Sequence, residues 1–245
     1  MARIVMVHGA FNELWGPNEL KARWLPALRD GLWHNDAVVD DADVAVCFYG
    51  DLFRRDPEVD DADFEASRAG IAESLSNLGG EDGLAALSQA ANAAVFDRTV
   101  DMVTTMATNP NLRDQILDRM RAAVGADTRV VIGHSLGSIV AWSALCACPE
   151  WAVDTLITLG SPLGVPMVFD GLHPTPVDGT GAWPGSVRRW VNIAAVGDKA
   201  AAVSQLAPLF GDVEDRRVDN GHRAHDPEPY LNAAVTGAAV AAALA

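Results

Sequence analysis

Residues 130–142 read VVIGHSLGSIVAW. An apolar run from Arg129 to Ile132 enters a tight turn, Gly133-His134-Ser135-Leu136-Gly137, and a second apolar run leaves it. The first run suits a buried parallel strand, and Leu136 to Cys148 suits a helix. Two readings compete for the serine between them: a plain strand-to-helix connection, or a nucleophile on a strained turn. The spacing favours the nucleophile. On so sharp a turn, side chains two residues to either side of the serine would collide with neighbouring backbone, so both positions are glycine. The helix that follows aims free N–H groups and its positive dipole end at the reacting oxygen.

Working outward, further strand-length apolar runs occur at Arg3 to Val7, Val44 to Tyr49, Thr155 to Leu159 and Trp190 to Ala194, with a more polar one near Val213 to Val218. Helical spacing lies between them, as at Leu20 to Leu32. Strands alternating with helices predict an α/β fold: one doubly wound, mostly parallel sheet of about six strands in a single domain over residues 1–245. One connection is too long for a simple crossover. Residues 51–125 hold no convincing strand, and their helix-like spacing is broken at Gly79-Gly80 and Asn109-Pro110. We expect a helical cap inserted at about 55–110, with helices from roughly 60 to 107 shielding Ser135; a decorative helical layer is the alternative. Residues 161–188, rich in Pro and Gly, read as a long surface loop.

Composition narrows the partners. The 245 residues carry a net charge of −15, with 49% hydrophobic residues. That acidity argues against a nucleic-acid partner and against docking on anionic lipid. Three cysteines, Cys47, Cys146 and Cys148, make no disulfide framework. The N-terminal apolar run is strand-length, without a secretory cleavage signal. The apolar C-terminus falls short of the roughly 20 residues a membrane span needs. The expectation is a soluble, cytoplasmic protein with no stable membrane anchor. No P-loop occurs, and no Gly-x-Gly-x-x-Gly follows the first strand, so no nucleotide or redox cofactor is expected.

A serine hydroxyl needs a base, and on such a scaffold the order is serine, acid, histidine. Asp198, in "AVGDKAA", falls just past the fifth strand, at the end where doubly wound sheets carry their sites. Its bland alternative is a helix N-cap; Asp170 is the reserve acid. For the base, "DNGHRAHDPEPYL" offers His225, preferred for its place at the loop-to-helix junction, and His222. This cluster with Asp226 matches no strong zinc pattern, so no metal is expected. An oxyanion needs backbone donors. Leu136 N–H is one; Ala10 N–H, in "VHGAFNE", is the second, with Phe11 next in line. His8 and His134 precede the acid and read as packing or hydrogen-bonding residues beside the site. Trp15 and Trp183 are candidates to line an apolar pocket, or to pack.

These features resemble the α/β-hydrolase superfamily. "VHGA" follows the first strand, "GHSLGS" forms the elbow, "VGD" carries the acid, and a histidine comes late. "TLGSPLG", residues 158–164, is similar to the segment after the elbow helix in lipase-like and esterase-like members. The match spans most of the chain and implies a triad of Ser135, His225 and Asp198. Two features set the chain apart: the first strand is already the His-Gly strand, and the expected cap precedes the elbow. The implied activity is hydrolysis of a carboxylic ester or thioester through an acyl-enzyme, on a small-molecule acyl substrate. Alternatives are an acyltransferase or cyclase with a non-water acceptor, and a non-catalytic binding protein on the same fold.

Overall fold

The computed structural model describes residues 2–54, 102, 105–106 and 109–245. The expected cap at about 55–110 and its shielding of Ser135 fall outside the described residues, apart from a few positions at its end.

Among the described residues, six strands form one sheet: β1 (Ile4–Val7), β2 (Val44–Cys47), β3 (Val130–His134), β4 (Thr155–Leu159), β5 (Arg189–Ala195) and β6 (Glu214–Val218). Their order is β2-β1-β3-β4-β5-β6, and every neighbouring pair is parallel. The expected α/β, doubly wound sheet is therefore present. β1, β3 and β4 are buried along their whole length, which is why they read as unbroken apolar runs. β6 is an edge strand, with Arg216 and Arg217 exposed and Glu214 paired to Arg189 at 2.7 Å across to β5.

Among the described residues, four longer helices cover the two faces. They are α1 (Pro17–Trp33), α2 (Pro110–Ala123), α3 (Leu136–Ala147) and α4 (Ala234–Leu244). Alternation along the strands splits the core. Ile4, Met6, Val130 and Ile132 pack with residues of α1 and α4; Val5, Val7, Val131 and Leu156 pack with α2 and α3. On α1, Leu20, Trp24, Leu28 and Leu32 recur every fourth residue and are buried. Truncating one of these to alanine costs on the order of 2–5 kcal/mol. α2 opens on Asn109, whose side chain accepts from Leu112 N–H at 3.0 Å, with Pro110 in the first turn.

Strand order reverses between β1 and β3, so the loops after these two strands diverge to opposite faces and leave a crevice between them. One expectation is corrected: residues 161–188 are not merely a surface loop. Leu163, Val165, Phe169, Leu172 and Val187 are buried, a short helix spans Pro166–Asp170, and Trp142 Nε1–H donates to Ala182 O at 3.0 Å. Pro and Gly break the segment into pieces too short to show a period, yet the apolar residues between them still pack on the sheet. All three cysteines carry free thiols. Among the described residues, no helix is long and apolar enough to cross a membrane.

Candidate active site

Ser135 joins β3 to α3 with φ +53° and ψ −127°, a backbone state that non-glycine residues rarely adopt. Its N–H donates to Leu159 O at 2.9 Å, and its carbonyl accepts from Ser138 N–H at 2.9 Å and Ser138 Oγ–H at 2.6 Å. A Cβ on Gly133 would lie 2.6 Å from Gly137 O and from Ser138 Cα, while one on Gly137 would strike the carbonyls of Val7 and His8. The glycines therefore give the room that lets α3 start immediately after the serine.

Three side chains from distant loops meet at the C-terminal end of the sheet. His225 Nε2 lies 3.0 Å from Ser135 Oγ, and His225 Nδ1 lies 2.9 Å from both carboxylate oxygens of Asp198. The Asp198 side chain is fully buried; that burial opposes its charge, but hydrogen bonds from His225, Tyr230 and Ala200 outweigh it and hold the carboxyl below its usual range. As an anion it only accepts, so Nδ1 carries the imidazole proton and Nε2 is left to accept from the serine hydroxyl. Asp198 also caps its own turn, its Oδ1 accepting from Ala200 N–H at 2.9 Å. The two readings of this residue, cap and partner of a histidine, coexist. The reserve residues stand apart: Asp170 ends the short helix after β4 and His222 sits in a turn, both exposed.

The other two histidines of the crevice are buried. His134 Nε2–H donates to the backbone carbonyl of His225 at 2.8 Å, so the residue before the serine holds the residue that contacts it. Burial, and next the nearby His225, push its pKa down to about 3, keeping the ring neutral. His8 stacks on Tyr49 at 4.1 Å, donates from Nδ1 to Gly9 O at 2.8 Å, and accepts Tyr49 N–H at Nε2 at 3.1 Å. Burial lowers its pKa to about 4.

The loop after β1 runs against the serine: a Cβ on Gly9 would lie 2.7 Å from Ser135 Cβ. Asn12 Nδ2 donates to Gly9 O at 3.0 Å and Ala10 O at 2.9 Å. In a trans peptide the N–H points away from the carbonyl, so tying these two carbonyls sends the Ala10 and Phe11 N–H groups the other way. Neither of them, nor Leu136 N–H, has a backbone acceptor among the described residues. Asn12 carried no sequence signal, because its partners are backbone carbonyls. Nor did Ser161, whose hydroxyl lies 2.7 Å from Ser138 Oγ and ties the loop after β4 to the elbow.

Ser135 and His225 open into a cleft of about 270 Å³ walled by Phe11, Trp15, Leu20 and Trp24, with Arg23 at its edge. The Arg23 guanidinium lies 4.5 Å from the Trp15 ring centroid and pairs with Glu228 at 2.9 Å. Trp183 is not part of this wall; it packs on Trp190 and donates to Val187 O. A larger concavity of about 850 Å³ lies at the opposite, N-terminal end of the strands, among Arg3, Arg129, Asp154 and Arg188. It holds no histidine, and its Arg188 and Asp154 are already paired at 2.8 Å.

No family model and no curated protein matches this sequence. Among solved structures, the chain is similar to the esterase domain of a Rhodothermus marinus protein, with a TM-score of 0.35 and 13% identity, over 96% of this chain and 84% of that one.

Proposed function

We propose that the protein is a serine hydrolase of the α/β-hydrolase kind, cleaving a carboxylic ester or thioester of a small-molecule acyl substrate. One observation carries this reading: an unbroken relay of 3.0 Å from Ser135 Oγ to His225 Nε2 and 2.9 Å from His225 Nδ1 to Asp198, starting from a serine at positive φ. Ser135 Oγ attacks the acyl carbon while His225 Nε2 takes its proton. Asp198 keeps the proton on Nδ1 and stabilises the imidazolium that forms. Leu136 N–H and Ala10 N–H receive the negative charge developing on the carbonyl oxygen. Collapse of the tetrahedral intermediate expels the alcohol or thiol, protonated by His225. Water then attacks the acyl-enzyme with His225 as base. The aromatic and aliphatic wall of the cleft suits an apolar acyl or leaving group.

The test is a panel of p-nitrophenyl esters of different chain length, run beside Ser135→Ala and a fluorophosphonate probe. Wild-type protein should turn over at least one ester and be labelled, whereas Ser135→Ala should do neither with its fold intact. Labelling of the variant at the wild-type level would remove Ser135 from the mechanism.

A further inference from the structure

Resting on the hydrolase reading, we propose that Tyr230 is a positioning residue: its hydroxyl fixes the carboxylate of Asp198 and, through it, the imidazole of His225. Tyr230 is fully buried, in the short helix Pro227–Leu231. Its hydroxyl lies 2.6 Å from Asp198 Oδ2 and 2.7 Å from Ala195 N. The directions are forced. Ala195 N–H can only donate and the carboxylate can only accept, so the phenolic proton goes to Asp198.

The need for this contact follows from the carboxylate itself. The last torsion of an aspartate is broad and roughly two-fold, so holding one oxygen leaves its plane loosely set. Ala200 N–H holds Oδ1 at 2.9 Å and Tyr230 holds Oδ2, while His225 Nδ1 stands 2.9 Å from both oxygens. His225 and Tyr230 lie on one segment, so the chain that delivers the base also grips the acid. The junction is tight. Gly160 has φ +55°, and a Cβ there would lie 2.7 Å from Asp198 Oδ2 and 3.2 Å from both His225 Nδ1 and Tyr230 Cε2. The competing role is a structural one, in which the hydroxyl only satisfies the buried Ala195 N–H. Loss of stability alone would not separate the two, since Tyr230→Phe orphans that N–H in either case.

Charge separates them. A phenol donating to Oδ2 withdraws negative charge from the carboxylate that His225 faces. Tyr230→Phe should therefore lower kcat about tenfold with KM little changed, and move the acid limb of kcat/KM to higher pH. In an Asp198→Ala background the same substitution should cost nothing further in kcat. Placing 3-fluorotyrosine at position 230 keeps both hydrogen bonds but makes the hydroxyl a stronger donor, so the acid limb should move the opposite way, to lower pH. The downfield proton resonance of His225 Nδ1–H should shift in opposite directions in these two proteins. An unmoved acid limb and resonance with 3-fluorotyrosine would overturn the proposal even if Tyr230→Phe fails to fold, as would a kcat loss additive with Asp198→Ala. Absence of Ser135-dependent turnover in the wild type would sink the hydrolase reading instead, and the His225 resonance would then decide alone whether Tyr230 sets the pair.

Discussion

Replacing His134 with glutamine should flatten the dependence of stability on pH. Unfolded, an imidazole takes up a proton near pH 6.5. Folded, burial holds His134 neutral down to about pH 3 and His8 down to about pH 4. Between those limits the unfolded chain binds more protons than the folded one, so stability falls as pH falls. At pH 5, about 1.5 units below the unfolded value and at about 1.36 kcal/mol per unit, each histidine costs about 2 kcal/mol relative to neutral pH. The pair therefore costs about 4 kcal/mol, against a total stability of about 5–15 kcal/mol for a domain. Asp198 acts in a separate window. Its carboxyl is depressed, so its contribution is present above its unfolded value near 3.8 and is lost only as pH falls through its folded value. Glutamine can take over the donation to His225 O without titrating. Its buried carbonyl oxygen will lower stability at every pH, so the slope and not the level is diagnostic. Urea unfolding followed by tryptophan fluorescence at several values between about pH 7.5 and 5 supplies that slope. The variant should lose about 2 kcal/mol less than the wild type across the range. Parallel curves for the two proteins would refute a neutral, buried His134.

Three further outcomes are expected. His225→Ala should cost on the order of 10³-fold or more in kcat/KM, while His222→Ala, altering an exposed turn, should stay within a few-fold; the reverse result would overturn the choice of base. Asp198→Asn should lose less than His225→Ala, because the imidazole remains but its favoured tautomer is wrong; unimpaired turnover on the same esters would move the acid role elsewhere. Gly160→Ala should lower Tm by placing a Cβ at positive φ and cut turnover at least about tenfold by displacing Oδ2 of Asp198; full activity at an unchanged Tm would show that the junction tolerates the methyl.

The parts of the fold that were legible share one property: their signal is contiguous. β1, β3 and β4 are buried on both faces, so local composition alone marks them. The elbow is likewise local, its constraint written in the five residues 133–137. The buried part of residues 161–188 is not legible because Leu163, Phe169 and Leu172 pack without a period between prolines and glycines. Asp198 could be nominated from its place just past a strand end and His225 from the loop-to-helix junction, while their distances from Ser135 could not. Tyr230 left no trace at all, because its hydroxyl meets groups 32 and 35 residues away. His134 was legible as a polar neighbour of the site, but its partner is a backbone carbonyl 91 residues on, which no side-chain pattern encodes.

What makes the site rigid is that strand pairing runs past the end of each strand into the loop that follows. Ser135 N–H reaches Leu159 O of β4 at 2.9 Å; Gly160 N–H reaches Ile193 O of β5 at 3.0 Å; Val196 N–H reaches Val218 O of β6 at 2.9 Å. The loops that follow β3, β4 and β5, which bear Ser135, Gly160 and Asp198, are thus tied to the next strand in the sheet before their side chains make any contact; the loop bearing His225 follows the edge strand β6 and is held instead by His134. Ordering a residue costs about 1–2 kcal/mol of backbone entropy, and for the proposed hydrolase that cost would fall on folding instead of on binding substrate. The strained serine persists for the same reason. A backbone outlier of this kind costs on the order of 1–3 kcal/mol. Relaxing Ser135 would break its bond to Leu159 O and both bonds from Ser138, at roughly 1 kcal/mol each in a buried setting. The two quantities are of equal size, so the sheet and α3 together hold the serine where no isolated turn would keep it.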